Sequence, residues 1–310
     1  MPFKRTPQKF NAAIGTLEIG TGANTVKLGG ENVLPFYSFD GEIANAPKIG
    51  IQISDKGEIP CVAEYYASAA DLAGRAKIAE ALPGVDFVAL SFESADPAAE
   101  NVTVEACVEN AKAVAEAIAK PLVIMGCKNS EKDAEIFEKV AGALEGKNAL
   151  FLSAKEENYK GIAAAVGLAY GQKVGAESAV DINLAKQLNV LITQLGVKAD
   201  SVAMNLGSAA AGYGFEYVVS TIDRVKLAAL GQGDNMLAPP IVTPVADDAW
   251  SVKEALVDES DMPEWGPAVE RGISMEISTA AACLACGSNA VILKHPASVA
   301  AISSMISALV

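Results

Sequence analysis

Ile49-Gly-Ile-Gln-Ile53, then a stretch of helical character at 61–82, then Phe87-Val-Ala-Leu90 form the succession that decides the fold. The alternation continues to the C-terminus. Apolar runs follow at Leu122-Val-Ile-Met125, Ala149-Leu-Phe-Leu152, Val174-Gly-Ala176, Val202-Ala-Met204, Ile241-Val-Thr243 and Ala290-Val-Ile-Leu293. Helix candidates lie after the runs, at about 98–119, 131–145, 157–170, 181–195, 214–230, 267–285 and 296–309. Nearly continuous apolar strands are expected where helices cover one sheet face and barrel packing fills the other. Alanine richness and i, i+3, i+4 spacing favour helix between them, because alanine loses no side-chain entropy there and strands prefer branched residues.

Strand, helix, strand in chain order implies parallel pairing by right-handed crossovers. Eight such units with no evident reversal of order predict an α/β fold closed as a (β/α)8 TIM barrel, with an open doubly wound sheet as the alternative. Before the barrel pattern, Ala13-Ala-Ile-Gly-Thr-Leu-Glu-Ile19 and Thr25-Val-Lys-Leu28 flank Gly20-Thr-Gly-Ala-Asn24, which predicts a β-hairpin with a five-residue loop. Residues 1–46 are therefore read as an N-terminal extension that plugs the closed end, and 47–310 as the barrel.

Barrel active sites gather on the rim where the strands end. Residues leaving the strands at this mouth are Ser54, Asp55, Ser91 to Glu93, Gly126, Cys127, Ser153, Glu177, Ser178, Asn205 to Gly207, Thr243, Pro244, Lys294 and His295. Most are small, neutral and hydrogen-bonding, so the mouth is expected to be largely uncharged.

A chain of 310 residues, 51% of them hydrophobic, is long enough to bury about 75% of its unfolded surface in one core. Its formal net charge of -14 argues against nucleic acid and anionic membrane, whose binding needs lysine and arginine. No apolar stretch reaches the ~20 residues that span a bilayer. Met1-Pro-Phe-Lys-Arg-Thr6 is followed by no apolar leader region, so the expected location is the cytoplasm. Five cysteines, at Cys61, Cys107, Cys127, Cys283 and Cys286, are odd in number and suit a reducing compartment. Cys283-Leu-Ala-Cys286 lacks the further ligands of a zinc or iron–sulfur site and reads as small buried thiols.

His295 is the only histidine, which excludes any mechanism needing two imidazoles. It either closes the eighth strand before Pro296 or meets a ligand at the mouth. Lys294 beside it is a candidate Schiff-base amine only if desolvation lowers its pKa. Asn205-Leu-Gly-Ser-Ala-Ala-Ala-Gly-Tyr-Gly214 leads into the sixth helix and carries glycines that permit close backbone approach to a ligand. A long loop with no ligand is the other reading. Nucleotide-phosphate fingerprints are absent. Asp181-Ile-Asn183 reads as a helix N-cap. In Asp258-Glu-Ser-Asp-Met-Pro-Glu-Trp-Gly-Pro267 the tryptophan is either a partner anchor or packs on its own barrel.

Several segments in this order resemble the small subunit of the corrinoid/iron–sulfur protein, the delta subunit of the acetyl-CoA decarbonylase/synthase complex. They are Phe36-Tyr-Ser-Phe-Asp-Gly-Glu-Ile43, Glu131-Lys-Asp133, Glu157-Asn-Tyr-Lys160, Asp181-Ile-Asn-Leu-Ala-Lys-Gln-Leu-Asn-Val190, Gly212-Tyr-Gly-Phe-Glu-Tyr217, Trp265-Gly266, Glu270-Arg-Gly272 and Lys294-His-Pro296. The resemblance implies a barrel without catalytic residues of its own, paired with a large subunit that carries a [4Fe-4S] cluster and a cobalamin-binding domain. The shared corrinoid would take a methyl group from methyltetrahydrofolate through a methyltransferase and deliver it to CO dehydrogenase/acetyl-CoA synthase in the reductive acetyl-CoA pathway. Expected corrinoid contacts are Ser91, Glu93, Ser153, Asn183, Asn205, Gly207, Gly212, Tyr213, Gly214, Thr243 and His295. No metal ligand is expected in this chain. One departure stands out: family members often show Asp-Pro where this chain has Asn205-Leu206, which puts any role needing negative charge there in doubt, while a hydrogen-bonding role survives because asparagine keeps an acceptor and adds donors. A free-standing pterin-binding methyltransferase of the same fold is the competing reading.

Overall fold

The computed structural model describes residues 6–310. Eight parallel strands run in the order β8-β7-β6-β5-β4-β3-β10-β9. They are β3 (Lys48–Ser54), β4 (Phe87–Ser91), β5 (Leu122–Met125), β6 (Leu150–Ala154), β7 (Lys173–Glu177), β8 (Val202–Asn205), β9 (Val242–Pro244) and β10 (Ala290–Leu293). The ring closes between β8 and β9, where Met204 pairs in parallel with Ile241 and its amide donates to the Pro240 carbonyl at 2.8 Å. The fold is the closed barrel that the strand succession predicts.

Alternate residues divide the core. Ile49, Ile51, Ile53, Val88, Leu90, Ile124 and Phe151 face the helices in one cluster. Phe87, Ala89, Val123, Leu150, Leu152, Ala203, Val242 and Ile292 fill the interior in another, and Leu17, Ile19 and Leu28 belong to that interior cluster too. The last three come from the hairpin of β1 (Thr16–Ile19) and β2 (Val26–Gly29), paired antiparallel. Its turn is fastened where the strands begin: Gly20 N–H donates to the Asn148 carbonyl at 2.9 Å, and Asn148 Nδ2 donates to the Glu18 carbonyl at 2.9 Å. The hairpin thus stoppers the end opposite the mouth. Interior space is tight enough that a Cβ on Gly50 would stand 2.2 Å from the Phe87 ring.

Helices follow the strands, with local differences from the sequence pattern. The stretch at 61–82 divides into α1 (Pro60–Ala63) and α2 (Leu72–Glu80), because Asp71 accepts the Gly74 amide at 2.7 Å and starts a new helix. Next, α3 (Val104–Ala117) begins later than expected, capped by Thr103. It is followed by α4 (Ser130–Ala143), α5 (Tyr159–Ile162), which widens into π turns over Ala163–Ala169, and α6 (Ile182–Gln194). Asp181 caps α6 through the amides of Asn183 and Leu184, as its position predicts. After α7 (Phe215–Gln232), the connection following β9 folds into two short helices that the apolar pattern does not disclose, α8 (Ala246–Ser251) and α9 (Lys253–Leu256). The outer layer ends with α10 (Ala268–Cys286) and α11 (Pro296–Leu309). No helix among the described residues is long and apolar enough to cross a membrane.

Candidate functional site

The mouth is organised around Asp247, in the first turn of α8, where acids meet the positive end of the helix. Gln52 is fully buried on β3 and its Nε2 donates to Asp247 Oδ1 at 2.8 Å and Glu93 Oε1 at 3.3 Å. Lys294, at the end of β10, places Nζ 3.4 Å from Asp247 Oδ1 and 3.9 Å from Glu93 Oε1. Lys128 reaches the other oxygen, Oδ2, at 3.1 Å. Burial pushes the Asp247 carboxyl up, but Lys294 and Lys128, helped by the Gln52 amide, more than reverse this and hold it below the usual carboxylate range. Two ammonium groups thus balance two carboxylates.

A second group lies beside the first. Asn205, ending β8, donates through Nδ2 to Ser153 Oγ at 3.0 Å and Glu177 Oε2 at 3.3 Å, while its Oδ1 accepts the Gly207 amide at 3.0 Å. Lys155 Nζ stands 3.5 Å from Glu177 Oε1. Asp133, projecting from α4, accepts the Cys127 amide at 2.6 Å, and burial raises its pKa. Gly126 leaves room for that carboxylate, which a Cβ would meet at 2.2 Å.

These groups line two neighbouring compartments. One of about 310 Å³ holds Asp133, Ser153, Lys155, Glu177, Asn205, Gly207 and Asp248; the other, of about 320 Å³, holds Glu93, Cys127, Trp250 and Lys294. Gly126, Lys128 and Asp247 belong to both, so the Lys128–Asp247 ion pair partitions the mouth. The expectation of a largely uncharged mouth is corrected here. Small residues do leave the strands, but Lys128, Asp247 and Asp248 stand three or four residues beyond the ends of β5 and β9 and fold back over the opening.

Of the residues expected at the site, Glu93, Ser153, Asn205 and Gly207 line the compartments. Ser91 is buried at the end of β4, its carbonyl accepting the Asp55 amide at 3.0 Å. Asn183 is exposed in the first turn of α6, outside both compartments. Gly212, Tyr213 and Gly214 sit on the flank, where Tyr213 donates its hydroxyl to Glu254 Oε2 at 2.6 Å and both glycines take left-handed φ of +88° and +80°. Thr243 does not face the mouth: it alternates with the interior residue Val242, and its hydroxyl bonds the Ser288 hydroxyl at 2.7 Å. His295 caps α11, its Nδ1 accepting the Ala297 amide at 3.1 Å, with its ring 5.9 Å from that of Trp250. Burial lowers its pKa, keeping the imidazole neutral and its Nδ1 lone pair engaged.

Sequence reasoning missed Gln52, Asp247 and Glu276. A glutamine amid isoleucines on an inward strand position was one available signal, and paired aspartates shortly after Pro244 were another. Glu276, fully buried on α10, accepts the amides of Lys294 at 2.6 Å and His295 at 3.2 Å, and so fixes the turn that carries Lys294. Cys283 is buried, which pushes its thiol up to about 12, and Cys127 is pushed up to about 12 in the same way. Among the described residues no group of three or more histidine, cysteine or acidic side chains is placed to hold a metal ion.

The family model described as the CO dehydrogenase/acetyl-CoA synthase delta subunit matches residues 16–295. The acetyl-CoA decarbonylase/synthase complex subunit delta of Archaeoglobus fulgidus is 32% identical over 298 residues, covering 94% of this chain and 65% of its own length. Subunit delta 2 of Methanosarcina acetivorans is 32% identical over 296 residues, covering 92% of this chain and 66% of its own. The chain thus spans just under two thirds of these relatives. Among solved structures, 7,8-dihydropteroate synthase from Vibrio fischeri overlays with a TM-score of 0.57 at 14% identity, covering 86% of this chain and 94% of that one. The Yersinia pestis dihydropteroate synthase with a pterine-sulfa conjugate gives 0.53 at 12% identity, covering 85% and 93%. At such identities the overlay speaks for the fold alone.

Proposed function

The chain belongs to the CO dehydrogenase/acetyl-CoA synthase delta subunit family, and from that premise we propose that it is the small, non-catalytic subunit of a cytoplasmic corrinoid methyl carrier. It pairs with a large subunit that bears the [4Fe-4S] cluster and the cobalamin domain. Its mouth covers one face of the corrin during methyl transfer from methyltetrahydrofolate and its methyltransferase to acetyl-CoA synthase. The family match over residues 16–295 carries this reading; the geometry of the mouth is compatible with it.

The residues present fit the group as a cover, not as a container. Each compartment, at about 310 or 320 Å³, is at the small end for a drug-sized ligand, and a corrinoid is larger still, so the disc would lie across the opening. Amide and hydroxyl groups of Asn205 and Ser153 suit the neutral amides at a corrin's edge. Gln52 Oε1, on the amide that also bonds Asp247, is buried without a partner. The lone pair of His295 Nδ1 is taken by the Ala297 amide, so that nitrogen is spent on capping the last helix. When bound, the corrinoid supplies a cobalt centre that accepts and releases the methyl group. This chain's residues would orient it, exclude water and set the charge facing it.

Co-expression with a corrinoid-bearing large subunit tests the reading. A stable heterodimer with a corrin absorption band is expected; separate elution of the two chains overturns it. A second reading, a pterin-binding methyltransferase, draws support from the acceptors in the 310 Å³ compartment, Asp133, Asn205 and Asp247, which suit a ring with N–H donors. Calorimetry with methyltetrahydrofolate on the isolated chain decides it, tight binding favouring the enzyme.

A further inference from the structure

On the outer flank of the mouth, α9 and the turn after it lie against α10, and an open groove of about 610 Å³ runs between them. Trp265 and Met275 supply its apolar surface, Ser274 and Ser278 its hydroxyls, and Glu254, Glu270 and Arg271 its charges. The groove is preformed. Arg271 fastens the turn to α10 by donating to the carbonyls of Glu254 at 2.7 Å, Val257 at 2.6 Å and Gly266 at 3.1 Å. The guanidinium, with donors committed in this way, and the Lys253 ammonium each lie 5.6 Å from the Trp265 ring centre, and hold the indole in place.

Two further observations say what the groove can receive. Between residues 253 and 271 the chain carries six acids, Glu254, Asp258, Glu259, Asp261, Glu264 and Glu270, against two cations, Lys253 and Arg271, both of which lie over the Trp265 ring. The apolar surface also continues outside the groove: Leu256 on α9 is 67% exposed and Val269 beside Glu270 is 39% exposed. An acidic border repels phosphate backbones and anionic lipid headgroups. Apolar side chains that extend past the cavity call for a ligand longer than a metabolite. We propose that this groove docks a segment of a partner polypeptide that presents leucine-like or aromatic side chains flanked by lysine and arginine. The apolar anchors would supply most of the affinity, while the acids set register and association rate. The proposal stands whatever the mouth holds, since neither compartment of the mouth includes Trp265, Met275 or Glu270.

The test uses the whole chain and a synthetic amphipathic helical peptide of leucine and lysine. Trp250→Phe leaves Trp265 as the only tryptophan reporter of the two in the sequence. Saturable change in Trp265 emission that weakens with salt is expected, and Glu254→Gln/Glu270→Gln should raise the dissociation constant by about tenfold at low salt, a 1.4 kcal/mol loss. Glu109→Gln/Glu116→Gln, which removes two exposed acids from α3, should change it by less than about twofold. Leu256→Asp, at a surface position, should also weaken binding without touching the core. Equal weakening by the two acid pairs, or an unchanged Trp265 signal, overturns the proposal.

Discussion

Gln52 on the first barrel strand and Asp247 in the helix after the seventh meet across the mouth, Nε2 to Oδ1 at 2.8 Å. One amide therefore ties two segments 195 residues apart in sequence and holds the carboxylate that also receives Lys128 and Lys294. Gln52, Glu93, Lys128, Asp247 and Lys294 thus form one connected group at the mouth.

Its pH dependence follows from Asp247. A carboxyl held below its unfolded value contributes stability above the ordinary aspartate range, near 3.9, and loses it as pH falls through the depressed folded value. Asp247→Asn should flatten that acid limb and lower stability at neutral pH by about 1–3 kcal/mol, the cost of removing a hydrogen-bonded ionic partner. Urea denaturation at stepped pH checks both; an unchanged acid limb contradicts the assignment.

Glu276 should behave in the opposite sense. Burial raises its pKa, so its contribution is full below the unfolded carboxyl value and is lost as pH rises through the folded one. Glu276→Gln should therefore gain on the parent chain as pH rises from about 4 toward neutrality. Glu276→Ala, which strands the Lys294 and His295 amides, should cost about 1–3 kcal/mol for each. Chemical denaturation of the three proteins at two pH values is the measurement.

Lys226 on α7 is 2% exposed, and its Nζ donates to Glu31 Oε1 at 2.9 Å and Asn289 Oδ1 at 2.7 Å, joining the N-terminal extension to the barrel's closed end. Lys226→Met should destabilise by about 3–5 kcal/mol, since the Glu31 charge is left without its cation, and adding Glu31→Gln should recover part of that loss. A double-mutant cycle by thermal denaturation reads the coupling.

The hairpin stopper gives a separate test. Leu17 is wholly buried in the interior cluster, and Leu17→Ala should cost about 2–5 kcal/mol, as measured by urea denaturation. A cost under 1 kcal/mol would show that the hairpin does not fill the barrel's end.

The fold was legible because a barrel strand such as Leu122–Met125 is apolar on both faces, and the run survives any local detail. The hairpin was legible through its glycine-bearing turn. Helix breaks were not, because a cap such as Asp71 looks like any polar surface residue until its amide partner is known. At the mouth, Asn205 and Ser153 could be placed from strand ends alone. Asp247 could not, since its position depends on α8 folding back over the opening, and no strand pattern specifies that. Thr243 failed for a simpler reason: a one-residue difference in alternation turns a strand-end side chain to the opposite face.

Hydrogen exchange on this chain, with and without a corrinoid-loaded large subunit, tests most directly whether the mouth covers the corrin. Slowed exchange is expected in peptides spanning 125–133, 205–214 and 244–252, with less protection there when the large subunit carries no corrinoid. Protection confined to other surfaces, with those mouth segments unchanged, would contradict it.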